Sequence, residues 1–312
     1  MMGSQANGTR AGPSGRRVVF FGMPCAASVP PLLALLAAGY DVPAILLPAS
    51  PGGPPHIEQP GAPDRPPFIP TDLGSIAARR GIPVLAVPRR MDASFVARLA
   101  ALRPAAIVVA CFPWRLPETL LELPPLGCLN VHPSLLPVGR GPEPVFWTLR
   151  RGDRRTGVTI HRMDAGLDTG PIAAQAAIAV PDGIRAPDLE WQLMRLGGDL
   201  LVRILPDLAA GTLALTAQDD ARATPAPIPT AAEFAVPTNL PARWAYNFVR
   251  GVAPLGGPLE LLSLATGARY PLADALAYEA DARLAAPDVR EGGELIARFK
   301  PGSVRFKLAG GG

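Results

Sequence analysis

The chain has 312 residues, 48% of them hydrophobic, enough to bury one large core and a smaller one beside it. Its 39 prolines and 32 glycines call for many turns, and no uninterrupted apolar run reaches membrane-spanning length, which argues against a helical membrane protein. The formal charge is +4, but only Lys300 and Lys307 among the 30 basic residues are lysines, so the arginines read as a compositional bias and not as a set of phosphate contacts.

Residues 1–16 are rich in Gly, Ser and polar groups and are expected to be disordered. Residues 17–22 form a short apolar strand that ends in the turn Gly22-Met23-Pro24. Ser28 can cap a helix whose first turn tolerates Pro30 and Pro31 and which stops at Gly39. Residues 42–47 are a second buried strand, so this unit opens a parallel sheet. Residues 48–70 are a loop dense in Pro and Gly. Asp72 starts a helix that Gly81 stops, and 82–87 is a strand. A helix over 95–102, a fully buried strand over 105–110, a short helix over 116–123 and a strand over 128–131 continue the alternation. A helix over 144–151, an alternating strand over 157–163, its antiparallel neighbour over 172–180 and a long amphipathic helix over 187–208 follow.

Beyond Gly211 the pattern changes. Residues 221–241 are rich in Pro, Ala and Thr and read as linker. A helix over 239–249 precedes short β segments at 259–262, 275–278, 295–299 and 304–308, the last two joined by the turn Lys300-Pro301-Gly302-Ser303. The expected organisation is a disordered 1–16, a doubly wound, mostly parallel α/β domain over 17–210, a linker over 211–238 and a small β domain over 239–312.

Cys25, Cys111 and Cys128 lack the spacing of zinc or redox motifs. Reduced thiols and a cytoplasmic location are expected, with Cys111 and Cys128 as small buried hydrophobes. Arg16-Arg17 before Val18-Val19-Phe20-Phe21, with Pro24-Cys25-Ala26-Ala27-Ser28 after it, imitates an export signal, but the apolar stretch is too short and runs on into the α/β pattern.

The chemistry concentrates in Leu129-Asn130-Val131-His132-Pro133 and in Leu167-Asp168-Thr169-Gly170. On a strand, residues two apart share a face, so Asn130 and His132 project together while Val131 faces the core. Both stand at the carboxyl end of a parallel strand, where open α/β sheets hold ligands. An amide and an imidazole can donate to a tetrahedral oxyanion, and Asp168 can orient His132, favour its charged form, or accept an amine proton. Such a trio suits acyl transfer to an amine with neither a metal nor a covalent intermediate. His56 falls in the Pro-rich loop and is expected to face solvent. His161, on the alternating strand, is expected to be a half-buried surface residue, so no three-histidine metal site is expected.

At these residues the chain resembles the folate-dependent formyltransferase family, most closely its methionyl-tRNA-acting branch. The resemblance runs through the Val-Val-Phe-Phe-Gly-Met-Pro turn, Gly127-Cys128-Leu129-Asn130-Val131-His132, Ser134-Leu135-Leu136-Pro137 with Arg140-Gly141, and Thr156-Gly157-Val158-Thr159-Ile160 to Met163-Asp164-Ala165-Gly166-Leu167-Asp168-Thr169-Gly170. It implies Asn130, His132 and Asp168 as the catalytic trio and 10-formyltetrahydrofolate as cosubstrate, with no metal. The pterin would lie against Phe112, Arg115, Leu116, Asp164, Gly166 and Leu167, and Gly22, Arg140 and Gly141 would border the acceptor. The C-terminal part resembles a shortened open-faced β-barrel of the OB kind. Initiator methionyl-tRNA is the implied partner, with neither DNA nor membrane.

The chain departs from tRNA-acting members in two places. The 48–70 loop carries only Arg65 where basic residues are usual, and Arg243, Arg250, Lys300, Arg305 and Lys307 of the C-terminal part are interspersed with Glu279, Asp281, Asp288, Glu291 and Glu294. An amino sugar nucleotide or another small amine as acceptor, hydrolysis of the donor, and a non-catalytic folate- or RNA-binding relative are the alternative readings.

Overall fold

The computed structural model describes residues 15–49, 72–282 and 284–310. The N-terminal segment, apart from residues 15–16, and nearly all of the Pro-rich 48–70 loop, with His56 and Arg65, lie outside the described residues.

The first half alternates strand and helix. In order it comprises β1 (Val18–Gly22), α1 (Val29–Ala37), β2 (Ile45–Pro48), α2 (Leu73–Arg80), β3 (Val84–Val87), α3 (Ala93–Ala101), β4 (Ala106–Ala110), α4 (Glu118–Leu121) and β5 (Cys128–His132). Then come β6 (Val138–Arg140), α5 (Pro144–Arg151), β7 (Arg155–Arg162), β8 (Ile172–Ala179) and α6 (Ala186–Ala210). Local chemistry sets the boundaries. The Asp72 and Asp92 carboxylates accept from the N–H groups of Ser75 and Phe95 and so begin α2 and α3, and Gly81 ends α2 in the left-handed conformation. Ser28 occupies the N-cap position of α1 without capping it. Its hydroxyl instead donates to Ala110 O at 2.7 Å and accepts from Met23 N, tying the β1 turn to the end of β4.

The main sheet has seven strands in the order β3-β2-β1-β4-β5-β7-β8. The first five are parallel, and β7 and β8 run antiparallel to their neighbours. The strand order reverses between β1 and β4, which is where a doubly wound sheet opens a ligand crevice at its carboxyl edge. Every residue of β1 and β4 is buried, as strands covered on both faces must be. One face packs on α1 and α6, the other on α3 and the region around α4.

The alternation expected for β7 is absent, because all six of its inner residues are buried. Val158 and Ile160 face α6, and the other face lies beneath the 133–137 turn, where Thr159 Oγ1 donates to Ser134 O at 2.7 Å and accepts from Leu136 N.

The 211–238 segment, expected as linker, carries β9 (Thr224–Pro225), which pairs with β6, and β10 (Ala235–Pro237). After it come α7 (Ala242–Val252), β11 (Glu260–Leu262), β12 (Arg269–Glu279), β13 (Asp288–Glu291), β14 (Glu294–Arg298) and β15 (Ser303–Leu308). They build a mostly antiparallel six-stranded sheet, β10-β11-β12-β15-β14-β13, with α7 packed on β12 and β15. This is the small barrel-like β unit expected at the C-terminus. Sequence reading missed two short edge strands, β10, which lies in the Pro-rich stretch read as linker, and β13, whose Asp-Val-Arg-Glu is mostly charged.

Helix α6 joins the two cores. Its first turns (Ala186, Leu189, Leu193) belong to the cluster shared with α5, α7 and the second sheet, and Met194 through Leu205 belong to the main core. Gly197 permits the close approach of α6 to the main sheet: a Cβ there would sit 2.5 Å from Val131 Cγ1 and 2.9 Å from Val158 Cγ2. Val131 lies between Asn130 and His132, so this contact fixes their strand from behind. Gly197→Val is expected to cost about 1–3 kcal/mol by overpacking, measured by urea unfolding; an unchanged midpoint would show that α6 is free to move away from β5.

Candidate active site

Strand pairing brings the site together. In the β5/β7 register Asn130 lies opposite His161 and His132 opposite Thr159. Cross-strand partners share a face, so Asn130, His132 and His161 look the same way, into a cavity of about 550 Å³. Asp168 enters from the turn between β7 and β8. Its own backbone is left-handed, with φ 55°, a conformation Asp tolerates better than most residues. Gly170 is required beside it, because a Cβ there would lie 1.8 Å from Arg162 O. Thr169 Oγ1 and the Gly166 N–H both donate to Asp164 Oδ1, at 2.7 and 3.0 Å, and close the turn.

The Asp168 carboxylate is the meeting point. Its Oδ1 accepts from Asn130 Nδ2 at 3.3 Å and lies 3.5 Å from His161 Nε2. Its Oδ2 accepts the Gly141 N–H at 2.9 Å and lies 3.7 Å from His132 Nδ1. His132 Nε2 lies 2.8 Å from Gly139 O. A carbonyl can only accept, so Nε2 carries the proton and Nδ1 of the neutral ring faces Asp168 with a free lone pair. Asn130 Nδ2 also lies 3.2 Å from His161 Nε2. His161 Nε2 thus lies between the Asn130 amide and Asp168 Oδ1, while its Nδ1 is a buried atom with no partner among the described residues.

Burial pushes His132 below its usual 6.5, against the attraction of Asp168 and the hydrogen bond to Gly139. The net direction is opposite to the charged form expected from the sequence, because desolvation of a ring this enclosed outweighs one carboxylate. For Asp168, burial acts upward, but the charge of His132, the contact with His161 and the Gly141 N–H together outweigh it and hold the group at about 2.

All six residues expected around the pterin, Phe112, Arg115, Leu116, Asp164, Gly166 and Leu167, line the cavity. Of the three expected on the acceptor side only Gly141 does. Gly22 is taken up by packing: a Cβ there would meet Leu73 Cδ1 at 2.6 Å. The Arg140 guanidinium donates to Gln218 Oε1 and Asp220 Oδ1 at 2.8 and 2.7 Å.

Gln218, which sequence reading missed, in turn donates to Asp168 O and Gly170 O at 2.8 and 2.7 Å and so holds the carboxylate's backbone. Glu143 and Glu190 also line the cavity; burial raises both, and Glu190 reaches about 7 with help from the charges of Cys25 and Glu143. Cys128 is buried as expected, and burial raises its thiol to about 12. Cys111 is not the buried hydrophobe expected. It follows β4 with φ 58°, half-buried at the cavity wall. His161 is likewise 2% exposed and part of the site. The signal that could have found it was the matched spacing of Asn130-x-His132 and Thr159-x-His161 on strands able to pair antiparallel. Among the described residues no group of three or more His, Cys, Asp or Glu is placed to hold a metal ion.

Both shifts act on stability in the same direction. With a folded value below the unfolded one, each group binds more protons in the unfolded chain, so stability falls as pH drops below 6.5 for His132 and again from 3.8 toward about 2 for Asp168. Urea unfolding between about pH 7 and pH 3 is expected to show a falling midpoint, with the lower part of the fall flattened in Asp168→Asn. A variant that kept the full acid slope would remove Asp168 from the effect.

The comparisons with known proteins agree with this geometry. Residues 69–205 match the family model described as Formyl transferase. A methionyl-tRNA formyltransferase of Chloroflexus aggregans is 41% identical over 208 residues, 67% of this chain and 64% of that one. One from Chloroflexus aurantiacus is 37% identical over 241 residues, 77% of this chain and 74% of that one. The crystal structure of an N-formyltransferase from Helicobacter canadensis, in complex with folinic acid and dTDP-3-aminofucose, superposes with a TM-score of 0.68 over 94% of this chain and 98% of that one; at 13% identity it shows a shared fold. The chain belongs to the methionyl-tRNA formyltransferase family.

Proposed function

We propose that the protein transfers the formyl group of 10-formyltetrahydrofolate to the amino group of methionyl-tRNA, in the cytoplasm. The observation that carries the reading is the convergence of Asn130, His132 and Asp168 on one wall of a cavity at the sheet's switch point. Family membership supports the formyl group as the one moved and a folate as its carrier. The names of the relatives support the acceptor.

The cavity is within the size range of sites that enclose a small ligand. Phe112, Leu116 and Leu167 supply apolar surface for a flat ring, and Asp164, Gly166 and Arg115 border it. Gly141 borders the acceptor side. The reaction needs a donor for the oxygen that turns negative as the amine adds, and a base for the proton the amine loses. Asn130 is the oxygen's donor: its amide hydrogens rest on Asp168 and His161 and can be redirected to an incoming formyl oxygen.

His132 Nδ1, unprotonated at neutral pH and open to the cavity, is the better base. Asp168, held at about 2, is too weak a base for that role and acts as the counter-charge to the imidazolium as it forms. The same nitrogen, once protonated, can donate to the oxyanion. Neither a covalent intermediate nor a nucleophilic Ser or Cys is required.

Contact with an acceptor stem through the C-terminal unit would draw on few free charges. Arg243 is paired with Asp182 and Arg305 with Glu294, and Arg250 donates to Gly183 O, while Lys300 and Lys307 are exposed. Binding is therefore expected to weaken only shallowly with salt, each lost phosphate contact lowering the slope by about 0.9.

The test is an acceptor comparison with 10-formyltetrahydrofolate: methionyl-tRNA, an amino sugar nucleotide, and buffer alone. Formylation of methionyl-tRNA only is expected. Turnover of the sugar without response to tRNA would overturn the acceptor, and donor consumption in buffer alone would indicate hydrolysis. No consumption with any acceptor would overturn formyl transfer. In the same assay Asn130→Ala is expected to lose about 10²–10³ in rate, and Asp168→Asn to abolish turnover with the fold retained. Full activity in Asp168→Asn would sink the mechanism.

A further inference from the structure

Two cysteines the mechanism does not use face each other beside the cavity. Cys25 lies in the turn after β1 and Cys111 directly after β4, 86 positions apart in sequence, yet their sulfurs are 3.5 Å apart. The two strands that carry them are neighbours in register, Gly22 opposite Ala110, so the pairing is built into the sheet. Ser28 reinforces it by bridging Met23 N and Ala110 O. Met23, Ala27, Cys111 and Phe112 of these two segments are all in the cavity wall.

The two thiols are unequal. A hydrogen bond from Cys111 outweighs burial and, with backbone N–H groups of Ser28 and Ala27, brings Cys25 down to about 6, whereas Cys111 is pushed up by the same contact, by burial and by the nearby charges of Glu190 and Glu143. The contact therefore favours the thiolate on Cys25 and the protonated thiol on Cys111. Both residues are half-buried, and Cys111 lines the cavity. That is the arrangement of an attacking and a resolving cysteine.

We propose that Cys25 and Cys111 form an oxidisable dithiol that a hydroperoxide closes to a disulfide, joining the β1 turn to the end of β4 in the wall of the formyl-transfer cavity. The Cys25 thiolate attacks the outer peroxide oxygen. The O–O bond breaks, the inner oxygen leaves and takes a proton from water to give an alcohol, or water when the oxidant is hydrogen peroxide, and Cys25 becomes a sulfenic acid. The Cys111 sulfur then attacks Cys25, the S–O bond breaks, and the oxygen leaves as water with the Cys111 proton. The two thiols give up two electrons and the peroxide takes them. The sulfurs must close from 3.5 Å to about 2.05 Å, so both segments move toward each other. A misplacement of about 1 Å in a positioned site can cost up to about 10² in rate.

The test uses the full chain treated with hydrogen peroxide near neutral pH, quenched and then denatured. Free thiols are expected to fall from three to one, the survivor being Cys128, with a peptide pair linked through Cys25 and Cys111. Three remaining thiols, or linkage between separate chains, would overturn the proposal. Cys111→Ser is expected to stop at a sulfenic acid on Cys25 that dimedone traps; equal disulfide yield in that variant would also overturn it. Wild-type thiol counting stands alone if the variant fails to fold, and it does not depend on the reaction assigned to the cavity. Activity, which does depend on that reading, is expected to drop about ten- to hundredfold on oxidation and return with dithiothreitol. An oxidised protein with full activity would overturn the effect on the cavity while leaving the disulfide standing.

Discussion

One carboxylate organises this site. The Asp168 side chain is only 10% exposed, sits on left-handed backbone, and lies against groups from three separate stretches of chain: Asn130 and His132 on β5, Gly141 beyond β6, and His161 on β7. A charge so enclosed persists only if its surroundings satisfy it, and here the Gly141 N–H and the Asn130 amide donate to it, with the two imidazole rings at 3.5 and 3.7 Å. The dependence runs both ways. The carboxylate keeps the Asn130 amide turned into the cavity and gives a protonated His132 its counter-charge. Without it, the ring would remain buried with nothing to offset a proton.

The support of Asp168 reaches well beyond its neighbours in sequence. Gln218 anchors the backbone on both sides of it, Arg140 anchors Gln218, and Asp220 anchors Arg140. The segment that supplies Gln218 and Asp220 continues into β9, which pairs with β6 and places Ala226 O on the N–H of Glu143. Arg140 therefore works as a strut between a turn and a strap, and the charge that looked available for an acceptor is already spent. Helix α6 closes the circuit, backing β5 through Gly197 and reaching with its first turns into the core of the C-terminal unit.

How much of this was legible in the sequence divides along the range of the interactions. The parallel strands, the Asp72 cap and the Leu-Asp-Thr-Gly turn are set by local chemistry, and the sequence displays them. The shared face of Asn130 and His132 follows from strand geometry alone. What escaped depends on cross-strand partners or on long-range contact. His161 joined the site through the β5/β7 register, Gln218 through a strap that composition alone presents as linker, and Cys111 met Cys25 because β1 and β4 are adjacent. The charge state of His132 was misjudged for a related reason: attraction to Asp168 can be guessed from motif spacing, but the desolvation that opposes it arises only when the 133–141 turn folds over the ring.

That reversal reshapes the chemistry. A permanently charged imidazolium could only donate, leaving the amine's proton to Asp168, the weakest base in the site. A neutral ring whose Nε2–H is committed to Gly139 has one function left at Nδ1, to accept. Once it has accepted, the proposed ion pair with Asp168 would form between side chains only 6% and 10% exposed, where such attraction is strong, and this would offset desolvation as charge separates. On the proposed mechanism the resting structure would withhold the charge until the amine supplies the proton. The proposed role of Asn130 follows the same logic: its amide rests against Asp168 and His161, and a partial negative charge on a formyl oxygen would make redirecting one N–H favourable.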